Sequence, residues 1–307
     1  MKKVLTVLLA ALVVALLFVS CKKEPKGDTV TYKSCVTTID DYSETKAGAM
    51  TAWDASSWKN EGYVLDGWYT KENAEGTYYA VGSALTGSMT LYAHWVDDDL
   101  TFEDIKGKKD EMIAKGAGAS KGFENIKDVV VPSVYHGKKV TEVDFFQCSY
   151  LESFSFEKAS NITSIAGISR TNLVSVDLSG TKIIEVSDSM FTYCVSLTSV
   201  SLPSTVTAVG NSAFSYCSKL KSLTIPGKIA SIGSKVVEYS GIETVTFGGI
   251  AESALNFDGS IASDAFSNAL SLKTINLGES ADTLKNTPLY EAKPWGAQAN
   301  VQIKTLN

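Results

Sequence analysis

Short apolar segments recur at nearly constant intervals through the second half of the chain. Each begins with a leucine-like residue and has further apolar residues at its fourth and sixth positions, a pattern typical of a short strand with one buried face. The leucine-like residues are separated by 22, 24, 23, 22 and 30 residues, and they are Leu151, Leu173, Leu197, Leu220, Ile242 and Leu272. A unit of this length cannot enclose its own apolar face, so the pattern predicts coils stacked around one continuous core.

The stretch between two such strands is predicted to form the opposite wall of the core. In the best-defined coil its apolar residues are Val206, Val209, Ala213 and Phe214. Three cysteines each lie three residues before a leucine-like residue, which places them on one inner column: Cys148, Cys194 and Cys217. Side chains in the same register point in parallel, which suits the dihedral angle of a disulfide poorly, so we predict buried free thiols.

A more specific signature opens several coils. Residues 202–214 form the fullest copy, and Val130-Val131-Pro132-Ser133 and Ile225-Pro226-Gly227 repeat its opening. The signature resembles the BspA-like leucine-rich repeat of bacterial surface proteins. This resemblance implies a mainly β leucine-rich-repeat solenoid over residues 129–307 that serves adhesion or protein recognition. The implied partner is a host or bacterial surface protein.

The first residues carry an export pattern. Lys2 and Lys3 precede a run of sixteen residues, 4–19, in which only Thr6 is polar. A membrane-spanning helix needs roughly 20 residues, so this shorter run predicts a signal peptide over 1–20. Because the run ends in Ser20-Cys21, it resembles a bacterial lipoprotein signal.

The lipoprotein resemblance implies cleavage after residue 20 and a lipid on the Cys21 sulfur, followed by a polar tether over 21–28. The protein is then exported and held to the bacterial envelope by this lipid anchor, in the outer membrane or at the cell surface. Several acyl chains would make such an anchor stable. An ordinary secretory signal beside a coincidental cysteine is the alternative.

Residues 29–96 have the composition of a small β module. Strands are predicted at Val30–Tyr32, Tyr63–Tyr69 and Thr90–Trp95, from alternating apolar and polar residues. Residues 62–69 and 85–95 resemble the internalin-B-type B-repeat, which implies a β-grasp-like spacer or ligand-presenting module. Lys33–Lys59 lacks the paired glycine turn of that family. Two tryptophans of the module are predicted to be core residues, with sugar stacking as the alternative: Trp68 and Trp95.

Residues 97–128 are predicted to link the module to the solenoid and to cap its first coil. Thr101-Phe102-Glu103-Asp104 resembles a capping box, and four apolar residues between 102 and 113 have helical spacing. We therefore expect a short helix that Gly116 and Gly118 end. Asp97-Asp98-Asp99 is interpreted as a solvated charge run at the edge of the linker.

Charge and composition exclude some functions. The chain has 28 Lys and Arg against 34 Asp and Glu, and Arg170 is its only arginine. Nucleic-acid binding needs clustered positive charge, so we predict no nucleic-acid partner. With only His94 and His136 and no recognisable catalytic or phosphate-binding motif, we predict no metal, no cofactor and no catalysis. An enzyme remains a weaker alternative.

The non-core strand positions of the solenoid predict its binding surface. The third and fifth positions of each strand form columns rich in hydroxyl groups, and the residues proposed as ligand-binding are Ser175, Asp177, Ser199, Ser201, Ser222, Thr224, Thr244 and Thr246. The longest interval also predicts a bulging contact loop over 248–259 with Phe257 and Asp258. Repeated donors and acceptors suit a protein or a glycan, so a glycan-binding accessory lipoprotein is the second hypothesis. The alternative is that serine and threonine occur there simply as soluble residues that suit a strand.

Overall fold

The computed structural model describes residues 27–116, 126–250 and 260–278 and the backbone of 302–304. Within these residues the chain is almost entirely β, apart from one turn of 3-10 helix at Ala159–Asn161. Two compact units are distinguished, 27–59 with 67–94, and 60–66 with the described residues from 95 onward. In the part of the chain that is described, no helix has the length and apolar character needed to cross a bilayer.

The first strands include the three that the sequence predicts, now extended at their ends. In chain order they are β1 (Asp28–Lys33), β2 (Tyr42–Lys46), β3 (Met50–Thr51), β4 (Tyr63–Lys71), β5 (Glu75–Tyr79), β6 (Ala84–Leu85) and β7 (Met89–Asp97). Five of them form one sheet in the order β2-β1-β7-β4-β5, in which β1 is parallel to β7 and antiparallel to β2. Strands β3 and β6 form a separate antiparallel pair.

The core of the first unit is a cluster of aromatic rings around Trp68. Trp68 is fully buried, and its indole Nε1–H donates to the carbonyl oxygen of Trp53 at 2.7 Å. The ring of Tyr32 meets Trp68 edge-on with centroids 4.7 Å apart, and Trp58 contacts it at 5.8 Å. Edge-to-face aromatic pairs stabilise beyond the area they bury. Residues 33–60, where the sequence departs from the B-repeat pattern, thus supply two tryptophans that cover Trp68.

The burial of the two tryptophans can be compared with the prediction that they are core residues. Trp68 is a core residue as predicted, and with 0% of its surface exposed it has no face on which a sugar could stack. Trp95 is half-buried. Cys35 is an exposed free thiol.

The remaining strands build the solenoid. They are β8 (Leu100–Asp104), β9 (Glu111–Gly116), β10 (Asp128–Val131), β11 (Val134–Tyr135), β12 (Lys138–Asp144), β13 (Ser153–Phe156), β14 (Ser164–Ala166), β15 (Ser175–Asp177), β16 (Glu185–Val186), β17 (Ser199–Ser201), β18 (Ala208–Val209), β19 (Ser222–Ile229), β20 (Ser231–Ile232), β21 (Thr244–Ile250), β22 (Thr274–Asn276) and β23 (Gln302–Lys304).

Each coil contributes strands to two walls of parallel neighbours. The leucine wall carries the leucine-like segments and includes the parallel pair β15-β17 and the parallel run β19-β21-β22-β23. The valine wall faces it and includes the parallel pair β12-β14 and the parallel run β16-β18-β20. On the valine wall Glu185 pairs with Ala208, and Ala208 with Ser231. The paired residues are one coil apart in the sequence. This parallel stacking of successive coils confirms the mainly β leucine-rich-repeat fold class.

The predicted core positions are buried between the two walls, except for Phe156 and Val200, which are partly buried and pack against the same core. The six leucine-like residues are each at most 5% exposed. Val206, Val209, Ala213 and Phe214 are buried opposite them, and one apolar cluster runs without a break from Leu100 to Leu277 among the described residues. The three column cysteines are buried free thiols, as predicted. Each fully buried aliphatic or aromatic side chain contributes about 1.5–3 kcal/mol, so stacking is the main stabiliser of the coils.

The predicted helical cap is wrong in its secondary structure. Strands β8 and β9 form an antiparallel hairpin in which Leu100 pairs with Gly116, and β9 then pairs in parallel with β12. Its residues alternate instead of following helical spacing, with Met112 and Ala114 buried and their neighbours more exposed. Edge pairing to β12 therefore overrides the resemblance to a capping box.

Two further expectations need correction. Asp97 is not solvated, because its carboxylate is buried and accepts hydrogen bonds from the backbone N–H of Asp99 at 2.9 Å and of Val130 at 3.2 Å. The predicted loop over 248–259 begins too early, because residues 248–250 belong to β21 and pair with β19. Residues 251–259 lie outside the described residues.

Glycine is required where neighbouring coils approach each other most closely. A Cβ atom on Gly227 would lie 1.9 Å from the carbonyl oxygen of Val206, and one on Gly248 would lie 2.0 Å from that of Pro226. Side chains at these positions would push the coils apart, so glycine lets the backbones meet.

Candidate functional site

The hydroxyl columns of the leucine wall lie where the sequence places them. Parallel pairing puts Ser175 beside Ser199 and Asp177 beside Ser201, and in a second run it puts Ser222 beside Thr244 and Thr224 beside Thr246. Six of these side chains are exposed and the two threonines of β21 are half-buried. The structure therefore brings all eight predicted residues onto one face in two neighbouring groups. Phe257 and Asp258 lie outside the described residues.

Two residues of this face, Asp177 and Thr246, already accept hydrogen bonds from within the protein. The side chain and backbone N–H of Ser179 hold the pKa of Asp177 below its usual value, and the N–H lies 2.9 Å from the Asp177 Oδ1. On the next run, the Asn276 Nδ2 donates to the Thr246 Oγ1 at 3.0 Å. Asp177 is thus an ionised turn-forming carboxylate as well as a surface group, which weakens its assignment as a dedicated ligand contact.

A charged row borders the hydroxyl columns at the second strand position. Glu243 lies between two lysines, with the Lys273 Nζ 2.5 Å and the Lys221 Nζ 3.6 Å from its carboxylate oxygens. The hydrogen bond from Lys273 is the main reason that the pKa of Glu243 is lowered. All three side chains are exposed to solvent, so the row adds little stability but fixes the charge pattern of this face.

A second column, exposed except for the half-buried Tyr216, lies at the turn that precedes each leucine-wall strand. Its residues adopt the left-handed backbone conformation, with φ between 50° and 70°, and they are Gln147, Arg170, Tyr193, Tyr216, Tyr239 and Asn268. The backbone N–H of Tyr193 donates to Ser215 of the next coil at 3.0 Å, and that of Tyr216 donates to Glu238 at 2.9 Å. These bonds hold consecutive turns in one register, so the side chains project as a row.

The central side chains of this column stack on one another. The rings of Tyr193 and Tyr216 lie 4.2 Å apart and are parallel to within 5°, and Tyr239 follows at 5.3 Å with a tilt of 39°. At the other end the Arg170 guanidinium carbon lies 5.4 Å from the Tyr193 ring centroid, within cation–π distance. We name Arg170, Tyr193, Tyr216 and Tyr239 the tyrosine edge.

Sequence reasoning missed the tyrosine edge although a signal for it exists. Gln147, Arg170, Tyr193, Tyr216 and Tyr239 are spaced by 23 residues at every step. The leucine-like residues do not show this constant spacing, because in two coils the segment between the turn residue and the leucine-like residue is one residue shorter. An exposed aromatic residue repeated at the coil period is the signal that would have identified this edge.

The residue after each member of this column is buried and fixes the turn from inside. The Cys194 Sγ–H donates to the carbonyl oxygen of Ile168 at 3.1 Å, and the Cys217 Sγ–H donates to that of Phe191 at 3.1 Å. In two coils a hydroxyl replaces the thiol, as Thr171 and Ser240. Burial raises the pKa of the Cys217 thiol far above its ordinary value, so these thiols are structural donors and not nucleophiles.

A polar groove of about 500 Å³ lies along the valine wall. Asp188 and Asn211 line it one coil apart, and the Asn211 N–H donates to the Asp188 Oδ1 at 2.7 Å. Asn211 in turn accepts a hydrogen bond from the Ser234 N–H at 2.8 Å, which continues the chain of bonds to a third coil. The side chains in this groove therefore tie neighbouring coils together.

The sequence contains two runs of aspartates, Asp97-Asp98-Asp99 and Asp40-Asp41. Asp97, Asp98 and Asp99 bring carboxylate oxygens within 4.8 Å of one another, and no other such group is found among the described residues. Asp97 is engaged with backbone N–H groups, which assigns it a structural role at this turn. Asp41 forms an ion pair with Lys33 at 2.7 Å, and the hydrogen bond from Lys33 lowers the pKa of Asp41.

Comparison with known proteins bears on the solenoid. Residues 138–255 match, in six copies, the sequence profile of the family described as BspA type leucine rich repeat region. No curated protein matches the chain in sequence. The fold is similar to that of a T. pallidum leucine rich repeat protein, with 20% identity and a TM-score of 0.36, over 59% of this chain and 71% of that one. It is also similar to the pneumococcal vaccine antigen PcpA, with 14% identity and a TM-score of 0.38, over 60% of this chain and 64% of that one.

Proposed function

We propose that this protein is a lipoprotein of the bacterial envelope whose solenoid recognises a surface protein of a host or of another bacterium. The observation that carries the proposal is the repetition of exposed positions in register from coil to coil, on the hydroxyl columns and on the tyrosine edge. A rigid row of equivalent positions suits a large, extended partner. The leucine-rich-repeat family of residues 138–255 supports a recognition scaffold.

The test is a direct binding screen with residues 28–307. Immobilised host matrix proteins and bacterial surface proteins form one arm, and a glycan array forms the other. We expect saturable binding to a protein, which the same chain unfolded in denaturant does not show. Binding to glycans alone would contradict the hypothesis of protein recognition and favour the glycan-binding hypothesis. Turnover of any screened molecule would contradict a purely non-catalytic role.

The anchor is a separate part of the proposal and has its own test. Cys21, after an apolar run and a serine, is the proposed site of lipid attachment, and the lipid holds the protein to the membrane. Labelled palmitate should enter the protein in cells, and the mature N-terminus should be a modified Cys21 by mass spectrometry. The Cys21→Ser variant should take up no label. An unmodified Cys21 in the wild type would contradict the lipid anchor and the envelope location derived from it.

The first unit is proposed to be a B-repeat-type spacer that presents the solenoid. Its first and last strands, β1 and β7, are parallel neighbours inside the sheet, as in a β-grasp arrangement. The main departure is residues 33–60, which supply Trp53 and Trp58 to the core. A spacer predicts that deleting the first unit leaves the affinity for the solenoid's partner unchanged. A loss of affinity would assign binding to the first unit instead.

A further inference from the structure

We infer that the tyrosine edge is a docking surface for an acidic peptide segment of a partner protein. This inference rests on the proposed role of the solenoid in protein recognition and identifies the surface and the partner chemistry. The hydroxyl columns are made of small side chains, whereas the tyrosine edge combines tyrosine with the only arginine of the chain. Tyrosine and arginine are the residue types that most often dominate binding energy at protein interfaces.

The tyrosine edge is ordered before any partner binds. The Tyr193 and Tyr216 rings support each other at 4.2 Å, and their backbone N–H groups are bonded to the next coil. Both outer tyrosines nevertheless keep large exposed fractions, 41% for Tyr193 and 45% for Tyr239. Side chains that are already fixed lose little rotamer freedom on binding, so their contacts convert into affinity efficiently.

Charge selects an acidic partner. Arg170 is exposed, and among the described residues no carboxylate lies within ion-pair distance of its guanidinium group. Lys219, three residues after Tyr216, is also exposed and without an ion pair in the described part of the chain. The acid beside Tyr216, Glu238, is buried, accepts a hydrogen bond from Asn268 at 2.8 Å and lies 3.6 Å from the Lys235 Nζ. A guanidinium group that lacks a partner is a strong bidentate site for a carboxylate.

The ring geometry favours a peptide over a sugar. A pyranose ring stacks on an open aromatic face, but Tyr193 lies between Arg170 and Tyr216, and Tyr216 lies between Tyr193 and Tyr239. Tyr193 and Tyr216 therefore present phenol hydroxyls and ring edges instead of free faces. Val195, two residues after Tyr193, adds an apolar surface that is 44% exposed. Mixed polar and apolar contacts beside a cation suit the side chains of an acidic peptide.

The experiment uses a selection from random dodecapeptides displayed on phage, against the chain from residue 21 with Cys21→Ser. We expect the selected sequences to be enriched in Asp and Glu. A synthetic peptide of the consensus sequence is then titrated by fluorescence anisotropy. Arg170→Ala should weaken its binding at least about tenfold, as should Tyr193→Ala combined with Tyr216→Ala, because these are the central contacts. Binding should also weaken as salt rises.

Matched variants separate the tyrosine edge from general effects. Lys182→Ala removes another exposed positive charge, outside the tyrosine edge, and should leave the affinity unchanged. Tyr193→Phe combined with Tyr216→Phe keeps the stacked rings and should retain most of the binding, which guards against a folding defect. Circular dichroism of every variant confirms that the coils remain folded.

Several outcomes would overturn the inference. These are selected peptides without acidic residues, a consensus peptide that binds Arg170→Ala as tightly as the wild type, or a selection that returns no specific peptide. If Ser199→Ala and Ser222→Ala abolish binding while the edge variants do not, the docking surface is the hydroxyl columns, and protein recognition by the solenoid still stands. If acidic glycans bind and Arg170→Ala abolishes that binding, the edge is a glycan site. Failure of the whole protein screen, by contrast, removes the proposed function itself.

Discussion

The two compact units are stabilised in opposite ways. In the first, one ring cluster centred on Trp68 joins strands β1 and β4 and the segment 33–60. In the second, one apolar cluster runs from Leu100 to Leu277 among the described residues, and each coil contributes a similar share. Stability in the first unit therefore depends on a single centre, whereas in the solenoid it is distributed over interfaces between neighbouring coils. The same substitution should have local consequences in one unit and propagating consequences in the other.

Trp68→Ala is expected to have the largest effect. It removes a fully buried ring and the hydrogen bond from its Nε1 to Trp53, so we expect a loss of about 3–5 kcal/mol in the free energy of unfolding of the first unit. The rings that contact Trp68 all belong to 27–59 and 67–94, so the loss should be confined to that unit. Tryptophan fluorescence during denaturant unfolding should report an early transition of the first unit. Trp68→Phe should lose less, and an equal shift of the whole chain would contradict the contrast.

Leu197→Ala tests the distributed core of the solenoid. Leu197 is fully buried, and its truncation should cost about 2–5 kcal/mol. Because each coil is held by its neighbours, we expect faster hydrogen exchange in the coils on both sides as well as in its own, while β1 and β7 keep their protection. Ser199→Ala, at an exposed position of β17, is the control. Protection lost only around residue 197 would show that the coils are not coupled.

The same contrast explains what the sequence could predict. Leu151 to Leu272 repeat one apolar pattern, so six independent copies identify the fold, the buried column and the exposed hydroxyl columns. The hairpin of β8 and β9 occurs once, and its local pattern also fits a helix. Its strand state comes from pairing with β12, a tertiary contact that no local pattern contains.

The tyrosine edge could not be predicted from the sequence for a different reason. Its members repeat at 23 residues, but periodicity alone does not tell whether a tyrosine points into the core or out of it. The left-handed turn at Tyr193 and Tyr216 decides this, because it directs the tyrosine outward and the following cysteine inward. In the first unit the cover of Trp68 by Trp53 and Trp58 is likewise a long-range contact without a repeat to reveal it.

Cysteine chemistry gives the next contrast between the units. Cys217→Ala removes the thiol that donates to the carbonyl oxygen of Phe191 and leaves a small cavity, while that oxygen still accepts the Cys194 N–H, so we expect a loss of about 1–2 kcal/mol. Cys217→Ser should lose less, because Ser240 occupies the same column naturally. Burial also raises the pKa of the Cys148 thiol to about 11, so it stays protonated at neutral pH.

A thiol-reactive dye provides the measurement for these cysteines. In the native chain with Cys21→Ser, the exposed Cys35 of the first unit should react, and the three column cysteines should react only after unfolding. Equilibrium denaturation of the two Cys217 variants gives the stability difference. More than one fast thiol in the folded protein would contradict a closed solenoid core.

Asn211→Ala probes the bonds between coils on the exposed side of the valine wall. It removes the acceptor of the Ser234 N–H and the amide donor to Asp188, both of which are accessible to water. We therefore expect a loss of only about 0.5–1.5 kcal/mol, measured by denaturant unfolding. Asn211→Asp keeps the acceptor for Ser234 but sets two carboxylates beside each other, so it should destabilise at least as much as alanine. Equal stability of all three proteins would show that water replaces these bonds fully.

The smallest effect is expected for Glu243→Gln, which removes the charge between Lys221 and Lys273. The pKa of Glu243 is lower in the folded protein than its ordinary value, mainly through the hydrogen bond from Lys273, so its stabilising contribution is present above the unfolded-state pKa. That contribution disappears as the pH falls through the folded-state pKa. The difference in denaturation midpoint between wild type and variant should therefore be small at neutral pH and vanish in acid or at high salt. Lys219→Gln, which breaks no ion pair among the described residues, should show no such pH dependence. A midpoint difference that grows in acid would have the wrong sign for the ion pair of Glu243 and Lys273. A difference as large as that of Leu197→Ala would mean that surface charge, and not the stacked core, holds the coils together.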